Sequence, residues 1–206
     1  MEQAPPILHL DPLFLVVIKP PWLLSVPGRG PDKQDSVVTR LARDFPAIRE
    51  VHRLDWETSG LMLLARDKAS HRALSLQFQQ RSVEKEYIAQ VAGQIAEAAG
   101  QIELPLICDW PNRPRQRVDH QLGKPALTLW QCIARDAASS RLLLRPHTGR
   151  SHQLRVHLAS IGHPILGDGL YGNPSSAPRL LLHASRLSID HPGSGQRLLF
   201  DSPAPF

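Results

Sequence analysis

Short apolar runs that end at glycine, proline or polar residues predict most of the regular structure as strands. The predicted strands lie at 13–18, 61–65, 86–91, 125–133, 141–145, 180–189 and 197–200. Helical spacing of apolar residues predicts a helix after Asp35 or Ser36, a second at 68–80 and a third at 151–161, which Gly162 ends. Strands outnumber helices and the connections are irregular. This pattern favours an α+β fold with a mixed, mainly antiparallel central sheet and flanking helices.

The length and the spread of turn residues indicate a single domain over residues 1–206, or two subdomains that share one sheet. The 19 prolines are scattered and no internal repeat is visible, so they mark turns and not a disordered linker. Residues 96–101 are the segment that we expect to form a small hinge or loop.

Composition excludes several classes of protein. Cys108 and Cys132 are the only cysteines, which excludes a disulfide scaffold and a zinc site built mainly from thiolates. The first six residues lack the basic start and apolar core of a signal peptide, and no apolar run approaches the ~20 residues of a membrane span. We therefore expect a cytoplasmic protein without a membrane partner.

Positive charge is concentrated in one segment. Residues 109–157 hold nine Lys or Arg and three Asp, a net charge of +6, whereas the rest holds 15 basic and 16 acidic residues, a net charge of −1. Nineteen of the 24 cationic residues are arginine, which can bind phosphate with two hydrogen bonds and stack on a base. The segment fits a polyanion-binding surface, although a solvated surface with an arginine bias has the same composition.

Three local patterns carry candidate chemistry, each with a plainer alternative. Asp55 stands in a turn before Thr58-Ser59-Gly60 and a buried strand, where an Asx-turn or helix cap is the alternative. Arg150 is predicted at the first turn of a helix, where the dipole disfavours a cation, so a nearby anion or a solvated basic helix is implied. Arg113, Arg115 and Arg117 alternate beside a tryptophan and share one face only if they lie on a strand. Arginines beside an aromatic ring fit a single-stranded RNA surface, or an edge strand protected by charge.

Other catalytic motifs are excluded by their spacing. The sequence His52-Arg53-Leu54-Asp55 has an extra leucine relative to the protein kinase catalytic loop, and no glycine-rich phosphate loop precedes it. Gly123-Lys124 lacks the upstream glycine of a P-loop. No H-E-x-x-H motif or hydrolase nucleophile elbow occurs, and His152 and His157 are poorly spaced for one helical face. We expect no metal site, which argues against a metal hydrolase.

Taken together and in order, four motifs resemble the RluA-type pseudouridine synthases. His52–Asp55 with Thr58-Ser59-Gly60 resembles the catalytic motif of that family, and Lys85–Ala89 with Val91 and Gly93 resembles its tyrosine motif. Residues 148–155, followed by Gly162–Ile165 and Gly167-Asp168, resemble its arginine motif, and residues 180–184 resemble its last motif. The resemblance extends over about residues 13–202, and it implies a pseudouridine synthase fold with an RNA-binding cleft.

The resemblance also implies roles for individual residues. Asp55 would attack the sugar or the base, or remove the ribose 2′ proton, with Arg150 as its paired cation and Tyr87 against the uracil for the C5 proton step. Leu182 would pack under the base, and Arg53 would fill the stack after the target base flips out. The residues predicted to bind RNA are Arg53, His52, Leu182, Arg113, Arg115, Arg117 and Arg155. Isomerisation of uridine needs no cofactor.

A finer resemblance concerns the RNA target. The sequence at residues 104–114 and the expected lack of an N-terminal S4-type RNA-binding domain are similar to a dual-specificity member of the family. That member acts on uridine 32 of tRNA and uridine 746 of 23S rRNA. The expected partners are the tRNA anticodon stem-loop and a 23S rRNA hairpin, bound by a monomer. The alternatives are a related synthase for other 23S rRNA or tRNA uridines, and a catalytically silent RNA-binding protein.

Overall fold

A computed structural model describes residues 3–206, which fold into two compact units. The first unit runs through Lys85 and includes His183–Pro205, and the second contains Glu86–Leu182 with Phe206. The strands are β1 (Ile7–Leu10), β2 (Phe14–Lys19), β3 (Arg49–Glu50), β4 (Ser59–Ala65), β5 (Glu84–Ala92), β6 (Ala99–Glu103), β7 (Leu106–Cys108), β8 (Gln116–Val118), β9 (Leu127–Arg135), β10 (Ser139–Pro146), β11 (Leu182–Asp190) and β12 (Arg197–Asp201). The helices are α1 (Val37–Leu41), α2 (Lys68–Gln80) and α3 (Gln153–Ser160).

In the first unit, the strands are arranged in the order β1-β2-β4-β11, with β12 on β11 and β3 on β4. All of these pairs are antiparallel except β4 with β11, which is parallel. Every residue of β4 is buried, which explains its continuous apolar sequence. The core that β2, β4, α2 and the last two strands share consists of Phe14, Val16, Leu61, Leu63, Ala65, Leu74, Val83, Leu187, Ile189 and Phe200. This buried sheet supports the loop that carries Asp55.

In the second unit, the strands β5-β10-β9-β6 follow one another in antiparallel pairs, and β7 and β8 form a separate hairpin. Helix α3 contributes Leu154 and Leu158 to the core of this unit, where they join apolar residues of β5 and β10. The predicted α+β class with mainly antiparallel strands is confirmed. The expected loop at 96–101 is wrong in part, because β6 begins at Ala99 and pairs with β9.

Local sequence explains how the helices begin. Ser36 caps α1 reciprocally with Thr39, because each side chain bonds the backbone N–H of the other residue. Asp67 caps α2 by accepting a hydrogen bond from the Ser70 N–H. Helix α2 has the predicted bounds, and α1 follows Ser36 as predicted. Within residues 3–206, no helix is both long and apolar enough to cross a membrane.

A buried ion pair joins the first turn of α3 to the segment that follows the helix. Arg155 is 2% exposed and donates two hydrogen bonds of 2.7 Å to Asp168, which is fully buried. Asp168 Oδ1 also accepts the backbone N–H groups of Leu170 and Tyr171. Burial by itself would raise the pKa of Asp168, but the hydrogen bonds and charge of Arg155 lower that pKa below its ordinary value. The guanidinium of Arg155 is thus used inside the unit, and the structure corrects its predicted role as a direct RNA contact.

Removing the charge of Asp168 should destabilise the fold strongly. The variant Asp168→Asn leaves a buried guanidinium without its anion, and we expect a loss of about 3–5 kcal/mol in the free energy of unfolding. Breaking the exposed pair of Arg186 with Asp201 by Arg186→Met should cost less than about 1 kcal/mol. Urea denaturation at pH 7 measures both values.

The pH dependence provides a second readout for Asp168. Because the folded pKa is lowered, the stabilisation is present above the unfolded pKa of about 3.9 and is lost as the pH falls through the folded pKa. Between pH 6 and pH 3, Asp168→Asn should therefore lose less stability than the wild type. Equal losses in the two proteins would contradict the assigned role of the pair.

Candidate active site

Asp55 lies in a loop whose backbone is anchored on both sides by residues around the end of β2. On one side, Leu54 N donates to Ser25 Oγ at 3.0 Å, and the same hydroxyl donates to the Leu54 carbonyl at 2.8 Å. On the other side, Lys19 Nζ donates to the carbonyl oxygen of Trp56 at 3.1 Å. The Thr58 N–H closes the turn on the Asp55 carbonyl at 3.1 Å. The half-buried carboxylate is therefore carried by a loop with little backbone freedom.

Lys19 is a fully buried cation at the end of an apolar strand. Its ammonium also donates to the carbonyl oxygens of Pro20 and Leu23, both at 2.8 Å, so three backbone acceptors match its three N–H donors. Burial lowers the pKa of Lys19 to about 7, although the negative charge of Asp55 acts in the opposite direction. The group that fixes the Asp55 loop is thus also electrostatically coupled to Asp55.

The strand that follows the loop is fixed by a second set of contacts. Ser59 Oγ lies 2.8 Å from His183 Nδ1, and His183 Nε2 lies 3.1 Å from Ser202 Oγ. Gly60 has φ 115°, and a Cβ there would lie 2.3 Å from the carbonyl oxygen of Ala184. Only glycine allows β4 and β11 to approach so closely at this point. The parallel pairing of these two strands thus explains the serine and the glycine of the Thr58-Ser59-Gly60 motif.

His52 supports the loop from inside the unit. Its Nε2 accepts the Leu63 N–H at 3.0 Å, and its ring stacks on Phe78 with a centroid distance of 4.8 Å. Burial, and secondarily the charge of Lys85, lower the pKa of His52 to about 3, so the ring is neutral at pH 7. His52 is half-buried and its Nε2 is used within the fold, so its contact with the substrate stays a prediction. Arg53, the next residue, is exposed.

The remaining predicted catalytic residues belong to the second unit. Tyr87 lies on β5 opposite Leu144 of β10 and packs, half-buried, against the core. Arg150 is exposed, and its Nε donates to the Pro125 carbonyl at 3.2 Å. Leu182 is 2% exposed within the core cluster, and its place under the base stays a prediction.

The loop of Arg150 is held by one buried amide. Gln153 Oε1 accepts the Thr148 hydroxyl at 2.7 Å and the Arg150 N–H at 3.0 Å. Its Nε2 donates to the Leu127 carbonyl and to Thr128 Oγ1. Helix α3 begins only at Gln153, so Arg150 precedes the helix. The prediction that Arg150 lies in the first turn of the helix is therefore wrong, and its charge is not in conflict with the helix dipole.

The three alternating arginines are exposed but do not share one strand face. Arg113 follows a 3₁₀ turn and its guanidinium lies 4.4 Å from the centroid of the exposed Trp110 ring. Arg115 lies in the connection before β8, with its guanidinium 5.8 Å from the Tyr171 ring. Arg117 is in β8 and forms an ion pair of 2.9 Å with Asp119.

Tyr171 connects this hairpin to the Arg150 loop. Its hydroxyl accepts the Gln116 N–H at 2.7 Å and lies 2.7 Å from His152 Nδ1. The Tyr171 backbone is in turn held by Asp168, the partner of Arg155. Through Asp168 and Tyr171, Arg155 therefore supports the basic hairpin, which consists of β7, β8 and the connection that carries Arg113 and Arg115. In residues 3–206, no three His, Cys, Asp or Glu side chains are grouped so that they could hold a metal ion.

Comparison with known proteins gives one family. A family model described as RNA pseudouridylate synthase matches residues 13–160. The chain is similar to the dual-specificity RNA pseudouridine synthase RluA of Escherichia coli (strain K12), with 50% identity over 97% of this chain and 93% of that protein. The protein of the same name from Yersinia pestis is 52% identical over 97% of this chain and 99% of its own length.

The structural comparison agrees with the sequence comparison. The structure of human RNA pseudouridylate synthase domain containing 1 superposes with a TM-score of 0.84 at 31% identity, covering 100% of this chain and 87% of the human chain. Human RNA pseudouridylate synthase domain containing 4 gives a TM-score of 0.79 at 25% identity over 97% of this chain and 88% of that chain.

The buried ammonium of Lys19 should give the protein a characteristic pH dependence of stability. Its folded pKa of about 7 lies below its ordinary value of 10.5, so the unfolded chain binds more protons between these two values. Its contribution makes stability rise with pH in this window, with a slope of at most about 1.4 kcal/mol per pH unit.

The variant Lys19→Met should remove this contribution, which urea denaturation from pH 6.5 to 9.5 measures. Lys68→Met, at an exposed position on α2, is the matched control and should keep the wild-type slope. A slope in Lys19→Met that equals that of the wild type would show that the ammonium is not buried as described.

Proposed function

Since the chain belongs to the RNA pseudouridylate synthase family and is an RNA pseudouridine synthase, we propose that its targets are uridine 32 of tRNA and uridine 746 of 23S rRNA. The observation that carries this proposal is about 50% identity, over 97% of the chain, to relatives that are named dual-specificity RNA pseudouridine synthases. We further propose that the enzyme acts as a single catalytic domain, as a monomer, in the cytoplasm.

The reaction sets the demands on the site. The glycosidic bond between N1 and C1′ breaks, the uracil turns, a bond forms between C5 and C1′, the C5 proton leaves, and N1 gains a proton. Atoms and electrons balance within the nucleoside, so the isomerisation needs no oxidant and no transferred group. We assign the central step to Asp55, whose carboxylate would attack the sugar or the base, or remove the ribose 2′ proton. The anchored loop supports this assignment, because a reacting carboxylate must be held in a productive geometry.

Tyr87 and Arg150 complete the proposed catalytic set. Tyr87 would lie against the uracil and serve the removal of the C5 proton, and its half-buried place on β5 gives the phenol a fixed direction. Arg150 would supply positive charge to the reacting carboxylate, and its exposed guanidinium on a loop fixed by Gln153 supports that role. Arg53 would enter the space that the flipped uridine leaves, which suits an exposed side chain two residues before Asp55.

The basic hairpin is proposed to dock the RNA. Arg113 stacks on an exposed tryptophan, and Arg115 lies beside a tyrosine that is held at its hydroxyl. Guanidinium groups that are held against aromatic rings can bind phosphate and stack on a base without losing much side-chain entropy. Arg117 is already paired with Asp119, so it should contribute less.

The target proposal can be tested with two synthetic RNAs. The purified enzyme should convert uridine 32 in an isolated tRNA anticodon stem-loop nearly as well as in full tRNA, because loop bases are accessible and cost little to flip. It should also modify a hairpin from the 746 region of 23S rRNA. Carbodiimide-primer extension scores the pseudouridine in each RNA. If neither hairpin is modified while other uridines of ribosomal or transfer RNA are, the chain is a synthase with different targets.

The docking proposal predicts unequal effects of the three arginines. Arg113→Ala and Arg115→Ala should each weaken RNA binding and flatten its dependence on salt. A variant that contacts fewer phosphates releases fewer counterions from the RNA when it binds. Arg117→Ala should change affinity less than either. Filter binding at several salt concentrations measures these effects, and the single-turnover rate at saturating RNA should stay near wild type. Unchanged affinity and salt dependence in all three variants would mean that the hairpin is only a solvated surface.

A further inference from the structure

Two large aromatic side chains are exposed on the two loops that hold Asp55. Trp22 is 52% exposed and Trp56 is 51% exposed, although tryptophan is usually well buried in folded proteins. Trp56 directly follows Asp55, and Trp22 lies in the turn after β2. Neither indole belongs to the core of the first unit. The assigned catalytic roles use neither of them.

The backbone at Trp22 shows that this side chain is kept at a cost. Trp22 has φ 61°, in the left-handed region that a bulky L-residue rarely adopts and that glycine adopts without strain. Neither packing nor backbone geometry therefore accounts for a tryptophan at this position. Strained residues of this kind concentrate at binding and catalytic sites, where the side chain has a use outside the fold.

The backbone that carries both tryptophans is held by the anchors that fix the loop of Asp55. The Lys19 ammonium binds the carbonyls of Pro20 and Leu23, which enclose Trp22 in the chain, and also binds the carbonyl of Trp56 itself. Ser25 ties the same turn to Leu54 on the other side of Asp55. The two tryptophans are thus attached to one rigid pair of loops, with the carboxylate between the two anchors.

We propose that Trp22 and Trp56 form an aromatic surface that stacks unpaired RNA bases next to the uridine that reacts at Asp55. The proposal rests on the RNA-modifying activity, since that activity requires RNA at this loop. Every base has a π-face, so an indole can bind the neighbours of the target whatever their sequence. The exposed Arg53 on the same loop, which is assigned to the space that the flipped uridine leaves, would lie between the bases that the indoles stack. Stacking the flanking bases would hold the flipped strand open around Asp55.

The test separates a role in RNA binding from a role in folding. Trp22→Gly removes the indole and relieves the strained backbone, so its melting temperature should equal or exceed that of the wild type. Its affinity for RNA should nevertheless fall at least about fivefold, as should that of Trp56→Leu. Trp22→Phe and Trp56→Phe keep a ring and should lose less. Leu76→Ala, at an exposed apolar position on α2, is the matched control and should bind RNA as the wild type does.

The substrate is total RNA from a strain that lacks this enzyme, so the result does not depend on which uridine is the target. Binding and single-turnover pseudouridine formation are measured on this RNA. The hairpin that contains the uridine found to be modified is then synthesised as a set of RNAs. Each RNA has one abasic site, at a different nucleotide flanking that uridine. Trp22→Gly should cause no further loss of affinity for the RNA that lacks the base on which Trp22 stacks. Trp56→Leu should likewise cause no further loss of affinity for the RNA that lacks the base on which Trp56 stacks.

Two results would overturn the proposal. One is RNA affinity within twofold of wild type in both Trp22→Gly and Trp56→Leu. This result would show that the indoles do not bind RNA and that they contact a protein partner or no partner. The other is the same loss of affinity with every abasic RNA, which would show that the indoles contact no particular base. Failure of the target assignment would appear separately, as modification of a uridine other than the two proposed.

Discussion

One buried ammonium is the constraint on which the loop of Asp55 depends. Lys19 ends a strand that is otherwise apolar, and its three N–H donors are used by three backbone carbonyls from two loops. A buried cation is costly, as its pKa of about 7 indicates, so its presence next to Asp55 needs a compensating function. That function is to fix the turn after β2 and the loop of Asp55 to each other. A carboxylate on such a loop needs little reorganisation before it reacts.

The second unit uses the same device with different side chains. The buried amide of Gln153 fixes the loop of Arg150, and the buried pair of Arg155 with Asp168 fixes Tyr171 and, through it, the basic hairpin. In each case one polar side chain inside the fold satisfies several backbone or side-chain groups of a surface loop. The buried groups thus set the positions of the exposed arginines and of the half-buried Tyr171. Several polar residues of the family motifs are thus structural supports for the neighbouring loops.

Sequence reasoning predicted the long strands and α2 because apolar periodicity records burial directly. It missed short strands such as β3 and β7, whose few residues carry no periodicity. At the site, the motif around Asp55 was recognisable, but its anchor was not, because Lys19 binds a carbonyl 37 residues away and the chain shows no local sign of this contact. Arg155 was predicted to bind RNA, since the sequence does not show that Asp168 is buried beside it. The sequence pattern does not show which distant residues bind a buried polar group.

The proposed use of the anchored loop is to present the carboxylate of Asp55 to the target uridine. The most direct measurement is single-turnover pseudouridine formation by Asp55→Asn, together with its dissociation constant for the same RNA. The change keeps the size of the side chain and removes its charge. Pseudouridine formation should fall below detection while the dissociation constant changes less than about twofold, because phosphate contacts from other residues dominate affinity. A rate near that of the wild type would show that the reaction does not require the carboxylate of Asp55.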